Sequence, residues 1–452
     1  MSDALPLPPR PNLEQYKKRA KDLVRICKSG DRDALRDWVS KWIEALVKLY
    51  DLDITLPTTG HRAYTPAEIA HRIDRTVERI TKYLKVANQP SRGACTLAQA
   101  QFALAREHGF ASWPKFTRHI EGLVRAHSPL SAFEAAVDAI GGGDLATLER
   151  LLRGNPTLVR ARSMREHRST LLHYVSANGV EGFRQKTPKN IVQITKRLLK
   201  AGADVNAESD AYAGRSTTLG LTATSCHPEA AGVQLSLMEL LIDHGAIIDG
   251  PDGASTVNSC LHNDRGEAAE FLANRGARLD LEGAAGVGRL DVVKSFFKDD
   301  GSLMPPATQN QMNAGFAWAC EFGRIRVVDF LLQKGMDAAA KLTPQGGETG
   351  LHWAAYAGHA DIVSLLLERG APVDVEDKRH KGTPLDWALY GWGTSPDKAD
   401  RRGHYEVVAR LGRAGATLDP QWYGAVENRQ PAVKKMQSDP RMLAALRGEM
   451  PG

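Results

Sequence analysis

Apolar residues near the start of the chain recur at helical spacing. Leu13, Tyr16, Ala20, Leu23 and Cys27 share one face; Leu35, Trp38, Val39, Trp42, Ile43, Leu46 and Tyr50 share a second. This is the i, i+3, i+4 pattern of amphipathic helices. A third stripe, Ile73, Val77, Ile80 and Leu84, follows Thr65, with Pro66 at a first helical position and Glu68 closing a capping box. "TLAQAQFALAREHGF" predicts a fourth helix, and "SWPKFTRHIEGL" a fifth with Ser112 as N-cap and Pro114 in its first turn. Residues 1–127 therefore read as an all-α module.

From "SAFEAAVDAIGGGDLATLERLLRGNP" onward the pattern changes to short helices rich in small residues, in pairs. "ETGLHWAAYAGHADIVSLLLERGAPVDVEDKRHKGTPLDWALYGW" (348–392) repeats itself: Thr349, Leu351, His352, Ala354 and Ala355 return as Thr383, Leu385, Asp386, Ala388 and Leu389. A unit this short cannot bury its own apolar face and needs stacked neighbours. These residues resemble the ankyrin family, whose unit reads G-x-T-P-L-H-x-A-A-x-x-G-H followed by a second helix and G-A-D-V-N. The position of the motif histidine falls at Val137, His173, Gly220, Asn258, Glu282, Ala317, His352, Asp386 and Gln421. The steps are 36, 47, 38, 24, 35, 35, 34 and 35, against a family period of about 33. The resemblance implies an all-α ankyrin-repeat solenoid of eight to nine units over 128–420, some irregular, preceded by the helical module and closed by a capping helix over 421–452. "RPNLEQYKKRAKDL" and "LAQAQFALAREHGFASWPKF" resemble the pair that opens an uncharacterised group of bacterial ankyrin-repeat proteins; that resemblance implies architecture and no activity.

The irregular steps carry information. The two long ones come from insertions, "VEGFRQKTPKN" after Asn178 and "SCHPEAAGVQ" in the next unit, each between the two helices of its unit. They are expected side by side, as walls over the ends of the inner helices. The short step leaves only "RLDLEG" after Gly276-Ala277, so the projecting β-hairpin finger is missing there, as again in "GATLDPQW". An interrupted row of fingers with walls beside it suits a small molecule or a chain end.

Bulk properties narrow the class. Hydrophobic content of 42% and charged content of 25% are those of an ordinary folded chain. No apolar run approaches the roughly 18 residues of a membrane span, and the N-terminus lacks an apolar signal core, so a cytoplasmic protein with no membrane partner is expected. Five scattered cysteines without a CxxC read as reduced, mostly buried thiols. The net charge of +6 concentrates in residues 1–127, with 22 Lys and Arg against 14 Asp and Glu. Those charges mix on the same helical faces without an aromatic stacking pattern, so they read as a solvated surface, with no specific nucleic-acid partner.

In the family's geometry the two residues before each G-H turn face the inner side; here they include His262, Glu321, Tyr356 and Tyr390. His173 and His352 occupy the motif-histidine position, which in the family bonds neighbouring backbone. Glu282 occupies it among alanines and glycines, where a carboxylate must be paired or solvated. Packed helices about 8–10 Å apart bring His262 and Glu321 within reach of it. A histidine with two carboxylates is how an acid–base pair is assembled, since unlike environments separate their pKa values; mutual satisfaction at the repeat junctions is the structural alternative. The expected ligand-facing set is Tyr174, His173, His227, Asn258, Trp318, Tyr356, His352, Trp353 and Tyr390, the aromatics offering stacking surface. No phosphate loop, nucleophile elbow or zinc ligand set is present, so neither metal nor cofactor is expected. Two functions follow: a recognition protein binding an unknown protein, peptide or small-molecule ligand on its concave face, or an enzyme using His262, Glu282 and Glu321 on a small organic or peptide substrate.

Overall fold

The computed structural model describes residues 4–8, 10–50, 66–86, 95–125, 128–343, 346–394, 401–418 and 430–450. The chain is mostly helical and forms two compact units, Met1–Ala254 and Ser255–Gly452.

The first unit begins with helices Leu13–Ser29, Arg32–Tyr50, Pro66–Val86, Leu97–Glu107 and Trp113–Val124. Gly30 separates the first two by taking the left-handed conformation at φ 68°, which a Cβ would strain. The expected cap at Thr65 lies outside the described residues. Thr96 with Gln99, and Ser112, cap the next two helices. Leu23, Val39, Ile80 and Leu104 share one core, and Tyr16, Phe110, Phe116 and Ile120 a second. His108 and His119 are buried here; burial pushes their pKa values down to about 3 and about 4, so both stay neutral. Surface basic groups find acidic partners, Lys17 with Glu14 and Arg36 with Asp74 within the module, and Arg106 with Glu166 beyond it.

Helix pairs follow: Pro129–Gly142 with Leu145–Gly154, the 3₁₀ helix Leu171–Ser176 with Ile191–Lys200, and Thr218–Ala223 with Gln234–Asp243. Between the last two pairs a finger survives, Glu208–Ser209 pairing antiparallel with Ser216–Thr217. Both insertions lie between the helices of their units. The first corrects an expectation, because its charged side chains turn back onto the preceding pair and do not stand out as a wall. Arg184 meets Glu134 at 2.6 Å and Asp138 at 2.8 Å, while Glu181 meets Arg165 at 2.8 Å. Two guanidiniums and two carboxylates bury together because each ion's desolvation is offset by its neighbours. The second insertion forms a short helix, Cys226–Ala230. Its return is tied by the Gln234 side chain, which donates to the carbonyls of Thr222, Ala223 and Ser225.

The second unit stacks further pairs: Thr256–Leu261 with Gly266–Asn274, Leu281–Gly286 with Leu290–Lys294, Gln309–Glu321 with Ile325–Gln333, Gly350–Ala357 with Ala360–Glu368, and Pro384–Thr394 with Arg401–Arg413. First helices touch first helices from pair to pair, and from Leu290–Lys294 onward second helices touch second helices. The layers meet over Ala284, Phe316, Leu331, Leu351, Ala354, Val363 and Val408. The expected unit at Gln421 lies outside the described residues. The expected single capping helix is two, Gln430–Gln437 and Pro440–Leu446. Asp439 explains the break: it caps the second helix by accepting from the backbone of Arg441 and Met442, and Pro440 takes the first position, where no N–H is needed.

Cys260 and Cys320 are buried, while Cys27, Cys95 and Cys226 are half-buried, and all five are free thiols. Among the described residues no helix is long and apolar enough to cross a membrane.

Candidate functional site

The missing finger reshapes the second unit. The chain passes from Gly276, at φ 94°, directly into the helix Leu281–Gly286. Asp280 takes over the tie that a finger would make. It caps that helix by accepting from Gly283 N at 2.8 Å, and accepts from Asn258 Nδ2 and Gln311 Nε2 at 3.0 Å each. One carboxylate thereby holds three successive units. Small residues complete the collapse. A Cβ on Gly286 would lie 2.4 Å from Leu261, and one on Gly266 would lie 2.7 Å from Phe322. The units on either side touch across the short one, with Arg324 of the later pairing Glu270 of the earlier.

Glu282 sits in this notch, nearly buried. Its Oε1 accepts from His262 Nε2 at 2.8 Å and from Trp318 Nε1 at 3.0 Å. The His262 ring stands edge-on to Trp318, centroids 4.9 Å apart, with its side chain still 56% exposed. The hydrogen bond from Glu282 raises the His262 pKa above its ordinary value. Whatever this pair adds to stability is complete below the ordinary histidine pKa and is lost as pH rises through the raised one. Glu282→Gln should keep the shape and lower the His262 pKa. An NMR titration of the imidazole checks this; an unmoved midpoint would mean the pair is not formed.

Glu321 does not join them. It ends the helix Gln309–Glu321 one turn beyond Trp318, and the groups whose charges it interacts with are Asp264 and Tyr356. The expected three-residue acid–base site is thus two separate groups.

The aromatic residues form a row. Trp318 meets Trp353 at 5.8 Å, Trp353 meets Trp387 at 5.2 Å, Trp387 meets Tyr356 at 6.1 Å, and Tyr356 stacks on Tyr390 at 6.3 Å. Trp387 is pinned by its indole N–H, which donates to Asp377 at 3.1 Å. Trp353 Nε1 has no partner, and Tyr390 is 60% exposed.

Several expected ligand-facing residues are fully occupied elsewhere. His173 and His352 are buried: Nδ1 of each closes a cap with Thr170 or Thr349, and Nε2 lies 3.2 Å from the carbonyl of Ser216 or Gly382. Both ring nitrogens are engaged, which leaves none for a ligand. Tyr174, 2% exposed, packs inside the first unit against Phe133 and His167. Asn258 is held by Asp280, and His227 is half-buried in the second insertion's short helix. Sequence reasoning missed Asp264 and Asp280. Asp264 left a signal: it stands in a turn at φ 58°, where the family places glycine.

Residues 281–378 and 316–419 match the family model for ankyrin repeats (3 copies). The protein is thus an all-α fold containing ankyrin repeats. Among solved structures, the ankyrin repeat domain of human ASB11 aligns at 19% identity over 60% of this chain and 96% of its own, with a TM-score of 0.31. No curated protein matches the chain.

Proposed function

We propose that this protein is a recognition module that holds a partner polypeptide on the face formed by the first helices of its ankyrin repeats. The observation that carries the reading is the row Trp318, Trp353, Trp387, Tyr356 and Tyr390, which ends on an exposed phenol. Aromatic side chains of this kind dominate protein interfaces, because they bring large area and a polar edge at low entropic cost. Residues 1–127 act in this reading as a helical module at the head of the repeats, and 421–452 as their C-terminal cap. The acid–base enzyme is disfavoured, because His262 stands half-open to solvent and its pair with Glu282 does not include Glu321.

Panning a displayed random-peptide library against the full chain tests the reading, with Tyr390→Ala as the comparison. The exposed site lets that variant fold. Enriched peptides should bind it about tenfold more weakly, the effect of losing an aromatic anchor worth about 1.4 kcal/mol. Enrichment of peptides that bind parent and variant alike would place recognition elsewhere.

A further inference from the structure

We propose that Glu321 and Asp264, beside Tyr356, form a site for the cationic side chain, arginine or lysine, of a peptide bound on the aromatic row. The inference rests on the recognition reading and names the chemistry of one contact within it.

Glu321 is only 7% exposed, and its Oε2 has no hydrogen-bond partner. A buried carboxyl oxygen without a partner is costly, and native structures supply one unless the site is meant to be completed from outside. The groups that face it do not supply a cation. Asp264 is a second acid, and Tyr356 and Tyr390 are phenols. Arg265 reaches back to the Asp264 backbone carbonyl at 2.6 Å and acts on the Asp264 carboxyl. His359 uses its ring to bind the Glu321 backbone carbonyl at 2.8 Å, and burial lowers its pKa. Burial and Asp264 together raise the Glu321 pKa to about 8, so the empty site stores a proton at neutral pH.

An incoming guanidinium or ammonium reverses this balance. It pairs the carboxylate, displaces the proton to solvent and lies against the faces of Tyr356 and Tyr390, where a cation is attracted by the ring quadrupole. The collapsed unit is what assembles the site, since Asp264 and Glu321 come from units on either side of it. Charge complementarity selects the occupant: a neutral apolar side chain would bury Glu321 without pairing it, and an acidic one would repel Asp264.

Four acetylated and amidated pentapeptides, Leu-Ala-X-Ala-Leu with X as arginine, lysine, citrulline or norleucine, test the site by calorimetry on the full chain. Arginine and lysine should bind at least tenfold tighter than citrulline and norleucine at pH 9. Their affinity should fall toward pH 7 as Glu321 regains its proton, and binding at pH 7 should release protons into the buffer. Glu321→Gln should erase the preference while leaving norleucine unaffected, and Tyr390→Ala should weaken all four, arginine and lysine most. Equal binding of all four, lost in Tyr390→Ala, would overturn the cation site and leave the recognition face standing. Binding of none would overturn both. A preference that survives Glu321→Gln would also sink the assignment.

Discussion

Arg165→Ala should be among the most damaging single changes in the first unit, costing about 3–5 kcal/mol, the range for breaking a buried ion pair. Its guanidinium, 4% exposed, donates to both oxygens of Glu134 at 3.0 and 3.1 Å, lies 2.8 Å from Glu181 and sits over the Phe110 ring. Truncation leaves two buried carboxylates to share Arg184. The pH dependence separates this cause from lost packing. Arg165 and Arg184 outweigh burial and hold Glu134 down at about 2, and they hold Glu181 well below its usual range. Carboxylates lowered in this way stabilise the fold fully above their unfolded pKa of about 4.5 and lose that contribution as pH falls through the folded values. In urea titrations the gap between parent and variant should be widest above about pH 4.5 and should narrow toward pH 2. A gap that stays constant with pH would assign the loss to packing and not to charge.

Ala354→Glu is the second large effect. Ala354 has no exposed surface and lies in the core where Gly350–Ala357 packs against its neighbouring first helices. A carboxylate placed there has neither room nor partner and should cost about 3 kcal/mol or more. Contacts in this unit run between successive helix pairs, so the damage should spread along the repeats. Urea denaturation should show a much lower midpoint, and hydrogen exchange should show faster opening in both adjoining pairs. A parent-like midpoint would overturn the packing described for this helix.

Much of the repeat architecture was legible because it is local. The small residues of "LHWAAYAGHA" and the glycines closing most second helices dictate helix, turn and close approach whatever lies beyond them. The lost finger was legible in the same way, as a missing segment between Gly276 and Leu281. Which carboxylates would meet was not legible at that range. Unit spacing alone places Glu321 one unit from Glu282 and two from Asp264. The choice depends on how closely the units on either side of the short one approach, which the tight packing of Gly286 on Leu261 and of Gly266 on Phe322 permits.

The same distinction runs through the whole chain. Periodicity, caps and the ankyrin motif determined which segments are helices and which faces are buried, since each depends on residues within one or two turns or on the next unit. Only the tertiary structure decided that the first insertion folds back to bury Glu181 and Arg184, that Tyr174 belongs to the core, and that the aromatic row ends beside an unpaired acid. Those outcomes balance the desolvation of charges against partners 30 to 50 residues away, and no local pattern encodes which partner arrives.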